Sequence, residues 1–258
     1  MSGERPEFST RDATVRAHLE GLRTWGLTRI ARLRVEKAAG DTTRILAANR
    51  AANEVGNEVG APTVRPPPKQ DVGAELAKCA AEVAACTTCR LCETRTRTVF
   101  SAGSATARLM FVGEAPGHEE DLRGEPFVGA AGQLLDRMIG ALGLTRAEVY
   151  IANVLKCRPP QNRDPLPEEV QSCAPFLKRQ ISLVNPEVIV ALGKPAAHFL
   201  LGGTQALGRL RGREHSYRDI PVVVTWHPAY LLRAPEHKRE TWQDLQFVIQ
   251  RLGLTPKV

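Results

Sequence analysis

No stretch of this chain approaches the roughly 18 consecutive apolar residues that a membrane-crossing helix requires, so no membrane span is expected. The opening MSGERPEFSTRD is polar and has no apolar core of the kind a secretory leader carries, which makes a cytosolic location the default expectation. No internal repeat is visible. A glycine-rich stretch, GEAPGHEEDLRGEPFVGAAG over 113–132, has neither the GxGxxG pattern nor the Lys-Ser/Thr pair of the usual phosphate loops. It carries Glu114, Glu119, Glu120, Asp121 and Glu125 against Arg123 alone, and carboxylates repel phosphate. Such a loop suits a neutral, planar, hydrogen-bonding ligand better.

With 258 residues, the chain can build one substantial core and an appendage. A formal net charge of +7 suits a polyanionic partner such as nucleic acid, and is equally compatible with a merely basic soluble protein. Residues 1 to about 53 show apolar spacings of three and four, as in ATVRAHLEGLRTWGL, and read as helical. Residues 54–70 end in VRPPPKQ, where three prolines forbid a helix. The expected organisation is a helical extension with a proline-rich linker over 1–70 and an α/β domain over 71–258.

From residue 71 a helix, VGAELAKCAAEVAAC, leads into a cysteine cluster. Four short apolar runs follow: RLMFVG (108–113), VYIANV (149–154), EVIVAL (187–192) and PVVVT (221–225). Nearly unbroken apolarity is how strands buried on both faces read. Helical stretches separate them, so a parallel sheet covered on both faces is expected, with GREHSYRDI (212–220) adding an edge strand. Ligands of such folds bind beyond the carboxyl ends of the strands. GEAPG follows the first run, Asn153 ends the second, and WHPAYLLR follows the fourth, so three polar features converge on one edge.

Each has a candidate role and a plainer alternative. Phe127, in EPFVG, can stack on a base or simply fill the core. Asn153 presents a donor and an acceptor that could read a base edge, or it caps a turn. His227 can stabilise developing negative charge, though a lone histidine is usually structural. The YLLR that ends at Arg233 can supply an apolar wedge and a phosphate contact.

Six cysteines are present: Cys79, Cys86, Cys89, Cys92, Cys157 and Cys173. In a reducing compartment clustered cysteines point to metal or redox chemistry. Cys86-Thr-Thr-Cys89 is a metal-type pair, and Cys157 and Cys173 flank the polar loop RPPQNRDPLPEEVQS. Four thiolates could close a zinc site or carry a 4Fe–4S cluster, and the spacing does not choose. Cys79 reads as packing and Cys92 as a spare.

Taken together, the motifs GEAPG-x-x-ED-x-x-G-x-PFVG-x-AG-x-LLD, NVLKCRPP-x-NR-x-PLP and HPAYLLR resemble the iron–sulfur class of uracil-DNA glycosylases, family 4, over roughly residues 74–252. The resemblance implies a three-layer α/β/α sandwich around a four-stranded parallel sheet. It implies an enzyme that hydrolyses the glycosidic bond of flipped-out deoxyuridine, with a catalytically weak damage-binding or polymerase-associated module on the same fold as the alternative. It implies iron rather than zinc, with Cys86, Cys89, Cys157 and Cys173 holding a structural 4Fe–4S cluster. Gly113, Glu114 and Ala115 would line the uracil pocket, Phe127 would stack on the base, and Asn153 would bond its edge. His227 would stabilise the departing anion, with Glu114 as a helper. Tyr230, Leu231, Leu232 and Arg233 would enter the DNA minor groove. The implied partners are uracil-containing DNA and the enzymes that process abasic sites, with the chain acting as a monomer and no membrane involved. One departure from the broader superfamily matters: where its best-known branch has a water-positioning Asp, this chain has Ala115. The loop after the second strand has no histidine, which argues against covalent trapping of DNA.

Overall fold

The computed structural model describes residues 71–256. The helical extension and proline-rich linker expected over 1–70 lie outside the described residues. The first described helix, α1 (Val72–Ala84), starts where Asp71 accepts from the amides of Gly73 and Ala74 at 3.1 and 3.2 Å. Six strands follow: β1 (Ala102–Gly103), β2 (Leu109–Gly113), β3 (Tyr150–Asn153), β4 (Val188–Leu192), β5 (His215–Tyr217) and β6 (Ile220–Thr225). They form one sheet in the order β1-β3-β2-β4-β6-β5.

The four inner strands β3, β2, β4 and β6 are mutually parallel, as expected, and each matches one of the four apolar runs. The sheet is nonetheless mixed, because antiparallel strands close both edges. β5 was legible in GREHSYRDI. β1 is two residues long, too short for any periodicity to announce it.

The layers follow from the two-residue period of a strand. Leu109, Phe111, Val190, Leu192 and Val223 face one side, against α3 (Ala130–Ala141) and α8 (Lys238–Leu252). Met110, Val112, Ile189, Ala191 and Val222 face the other, against α4 (Pro167–Val184) and α5 (Lys194–Leu201). Both faces are dry, which is why the runs show no polar alternation. The shorter helices are α2 (His118–Arg123), α6 (Leu207–Leu210) and α7 (Pro228–Arg233). Among the described residues no helix is long and apolar enough to cross a membrane.

The chain runs from β2 to β3 on one flank, then returns to place β4 and β6 on the other. Loops therefore diverge at the carboxyl ends of β2 and β4, the switch point at which open parallel sheets hold ligands.

Candidate active site

A crevice of about 1040 Å³, counting its open mouth, lies at this edge. Glu114, Ala115, Phe127, Asn153, His227, Tyr230 and Arg233 all line it. Three separate strands thus deliver the residues singled out in the sequence to one place.

Register brings the first two groups together. Gly113 and Asn153 are Cα partners across β2 and β3. The ladder continues past the strands, with Val154 N–H donating to Gly113 O at 2.9 Å and Leu155 N–H to Glu114 O at 3.0 Å. A Cβ at position 113 would stand 2.3 Å from Asn153 Oδ1 and 2.6 Å from Phe127 Cζ. Only a hydrogen fits there, so Gly113 is the floor on which amide and ring rest. Asn153 is 2% exposed, and its Oδ1 is the one buried side-chain oxygen or nitrogen without a hydrogen-bond partner among the described residues. Such an acceptor costs on the order of 1–3 kcal/mol, so its retention calls for a reason.

Phe127 is buried and has φ of 55°, a left-handed conformation that a bulky residue rarely adopts. Three contacts hold it there. Glu120 Oε1 accepts from the amides of Val128 and Gly129 at 2.9 and 3.1 Å, directly after the strained residue. Arg146 donates to the carbonyl of Pro126 just before it. Gly132 supplies a third support, because a side chain there would strike Phe127 O. The ring thus belongs to the core and to the crevice wall at once.

His227 follows β6 by two residues and caps α7. Its Nδ1 accepts from the Ala229 amide at 3.1 Å. Burial, reinforced by the Arg233 charge, pushes its pKa down to about 4, so the ring is neutral at physiological pH. Because Nδ1 accepts, the single ring proton belongs on Nε2. The ring lies 5.6 Å from the Phe127 ring, centroid to centroid. Gly193, with φ of 86°, ends β4 beneath it, 3.0 Å from His227 Cβ to where a Cβ would be. Burial also raises the Glu114 carboxyl, with the Asp164 charge adding to the effect, to about 7.

The acidity of the loop has a second explanation that its sequence concealed. Glu120 joins two crevice loops, since Oε2 accepts from Gly117 N–H at 3.1 Å while Oε1 holds 128–129. Asp121, 3% exposed, accepts from Thr96 N–H at 2.9 Å. Glu125 pairs with Arg146 at 3.2 Å and Glu119 with Arg123 at 3.6 Å. Most of these carboxylates hold backbone or arginine rather than face a ligand. Glu169 does the same for the next loop, taking Arg163 bidentately at 2.6 and 2.9 Å and the Leu166 amide at 2.8 Å. No periodicity reveals these bonds, because each runs across a turn to main chain or to an arginine.

The YLLR segment divides. Tyr230 and Arg233 face the crevice, and Leu232 is 44% exposed. Leu231 is fully buried in the core, so its expected place in the DNA groove is corrected: the inward turn of α7 commits it to packing. Tyr230 stacks on Trp226 at 4.8 Å, and Trp226 Nε1–H donates to Glu240 at 2.9 Å, which braces the loop against α8.

The cysteines gather elsewhere. Cys86, Cys89, Cys157 and Cys173 line one narrow cavity of about 350 Å³, counting its open mouth, and Cys92 lines it too. Cys79 is fully buried outside it, as packing requires. Arg95 donates to Cys157 Sγ at 3.2 Å and Lys156 N–H to Cys173 Sγ at 3.3 Å. Donors aimed at sulfur fit thiolates. Among the described residues, no group of three or more Cys, His, Asp or Glu is placed to hold a metal ion.

Lys156 joins the two regions. It is fully buried, and its Nζ donates to Asn153 O at 2.7 Å, Gln180 Oε1 at 2.5 Å and Phe100 O at 3.5 Å. Its amide serves Cys173 while its ammonium fixes the main chain of Asn153. The sequence hid it because a lysine beside a strand end reads as surface.

The uracil DNA glycosylase superfamily model matches residues 100–246. A type-4 uracil-DNA glycosylase of Archaeoglobus fulgidus is 43% identical over 180 residues, 67% of this chain and 90% of the relative. Those of Sulfurisphaera tokodaii and Thermotoga maritima are 41% and 45% identical, covering 70% and 62% of this chain and 86% of each relative. On sequence match and fold together, the chain belongs to the uracil DNA glycosylase superfamily, within its type-4 branch.

Proposed function

We propose that this protein is a uracil-DNA glycosylase that hydrolyses the bond between uracil and deoxyribose in DNA, leaving free uracil and an abasic site. The observation that carries the reading is the unpartnered Oδ1 of Asn153, buried against Gly113 and Phe127 at the crevice. An imide N–H satisfies it, and the amide Nδ2 of the same side chain donates to the adjacent carbonyl oxygen. Uracil offers that acceptor beside that donor. Cytosine offers an amino group and an unprotonated nitrogen, so both bonds fail.

The base must leave the stack to reach this floor, at a cost of a few kcal/mol. Stacking on Phe127 returns about 1–3 kcal/mol. As the glycosidic bond breaks, electrons pass to the base and charge grows on its oxygens. The neutral His227 ring, with Nε2–H free to donate, is placed to meet that charge, and a single such donor is worth roughly 2.7–4 kcal/mol. The sugar becomes cationic, and the carboxylate form of Glu114 stabilises it and helps to orient water. With Ala115 in the water-positioning slot, the reaction is largely dissociative. Tyr230, Leu232 and Arg233 stand where DNA would cross the mouth.

Cys86, Cys89, Cys157 and Cys173 are the residues that would hold a 4Fe–4S cluster. Bound there, the cluster supplies folding free energy by pinning three segments together. Arg95 and the Lys156 amide orient the Cys157 and Cys173 sulfurs that would bind it. The decisive assay treats a uracil-containing oligonucleotide with the protein and then with alkali. Strand cleavage is expected, and intact DNA at high protein concentration would leave only the weak binding module. Release of hypoxanthine, measured alongside, defines the base range.

A further inference from the structure

Five thiols, not four, face the cysteine cavity. Cys86, Cys89 and Cys92 follow one another with two residues between each pair, and all three line it together with Cys157 and Cys173. Runs of this spacing supply consecutive ligands to iron–sulfur clusters. The five are not equivalent. Cys157 receives the Arg95 guanidinium and Cys173 the Lys156 amide, while Cys89 is common to both Cys-x-x-Cys pairs, 86/89 and 89/92. Cys86 and Cys92 receive no such N–H. Cys86 Sγ lies 2.9 Å from the Thr88 hydroxyl. Cys92 sits in the short 3-10 turn Arg90–Glu93, its amide donating to Cys89 O at 3.2 Å. Both are half-buried on the cavity wall.

We propose that Cys86 and Cys92 are interchangeable occupants of one ligand position, so that the chain carries a thiolate in reserve. The inference rests on the cluster reading above. In the exchange, one iron–sulfur bond breaks and one forms. The proton of the incoming thiol passes to the departing thiolate, so there is no net oxidation or reduction. Cys157 and Cys173, held by N–H donors, and Cys89, shared by both pairs, keep the other positions unchanged while the fourth swaps.

The test uses the full chain, prepared without oxygen, as wild type and as Cys86→Ala, Cys92→Ala, the double variant and Cys157→Ala. Iron and acid-labile sulfide per chain are measured with the visible absorbance. Each single variant at 86 or 92 is expected to keep most of the wild-type iron, whereas the double variant and Cys157→Ala lose at least tenfold. A second readout does not depend on yield. Alkylation of the native protein, followed by mass analysis, should label one of Cys86 and Cys92 in the wild type. Removal of the protected one should transfer protection to the other. If Cys86→Ala alone is as colourless as the double variant, or protection does not transfer, the reserve role is overturned while the cluster reading stands. Wild-type protein with zinc or no iron would overturn both.

Discussion

The crevice and the cysteine cavity stand at opposite ends of one residue, Lys156, and are built on contrary plans. The crevice is polar, open and held under strain. It has a phenylalanine at φ 55°, an orphaned amide oxygen, a carboxyl raised to about 7 and a histidine lowered to about 4. The cavity is narrow and sulfur-lined, and two of its sulfurs already receive N–H donors. A site that must bind and release leaves groups unsatisfied until the ligand arrives. A site that keeps its occupant can meet ligand atoms with partners already fixed in place. The difference separates residues that should affect rate from residues that should affect folding.

The sharpest way to break this contrast is at Asn153 and His227. Asn153→Ala or His227→Ala should lower kcat by about 100- to 1000-fold, the range found when one transition-state donor is removed. Affinity for undamaged DNA should hardly change, nor should the melting temperature of Asn153→Ala, whereas His227→Ala also loses the α7 cap and should melt somewhat lower. If melting falls as far as activity, the crevice is structural and the contrast fails. Asn153→Ala should even relieve the cost of its orphaned oxygen.

Leu231 and Leu232 offer the next test, because neighbours in sequence fall on opposite sides of the divide. Leu231→Ala should cost about 2–5 kcal/mol of stability, as for other buried leucines, read from a denaturant midpoint. Leu232→Ala should leave stability alone and weaken binding of uracil-containing DNA by a few fold. Phe127→Ala belongs to both regions, and should lose about 1–3 kcal/mol of base stacking and some stability as well.

The smallest expected effect is on pH dependence. Glu114 acts as a carboxylate here, and its pKa lies near 7. Activity should therefore rise with pH through neutrality. Asp164, on the same crevice wall, raises that pKa by its charge. Asp164→Asn should move the limb to lower pH without changing the plateau, seen in kcat/KM measured from about pH 5 to 9. His227 does not titrate in that window, since its proton is gained only near pH 4. Glu120, Arg163 and Arg233 also line the crevice. A limb that ignores Asp164 would reduce Glu114 to a wall.

What made the four parallel strands readable was burial on both faces, which erases polar alternation and leaves unbroken Val-Ile runs. The convergence of GEAPG, Asn153 and HPAYLLR was readable too, because parallel strands all point their carboxyl ends to one edge. The partners were not. Glu120 and Glu169 act on main-chain amides, and Lys156 on main-chain and glutamine oxygens. Any residue can offer a main-chain group, so no pattern of side chains records such a bond.

By itself, the amino-acid sequence determined the sheet, the edge at which ligands bind and the cysteines available near one another. Local pattern carries all of these, through strand period, glycine content and spacing. Only the tertiary structure decided that Gly113 is the floor beneath Asn153 and Phe127, that Leu231 turns inward while Leu232 does not, and that a buried lysine spans both regions. These depend on which surfaces meet across the sheet register and on where a helix must pack. Distances through space, not positions along the chain, settle them.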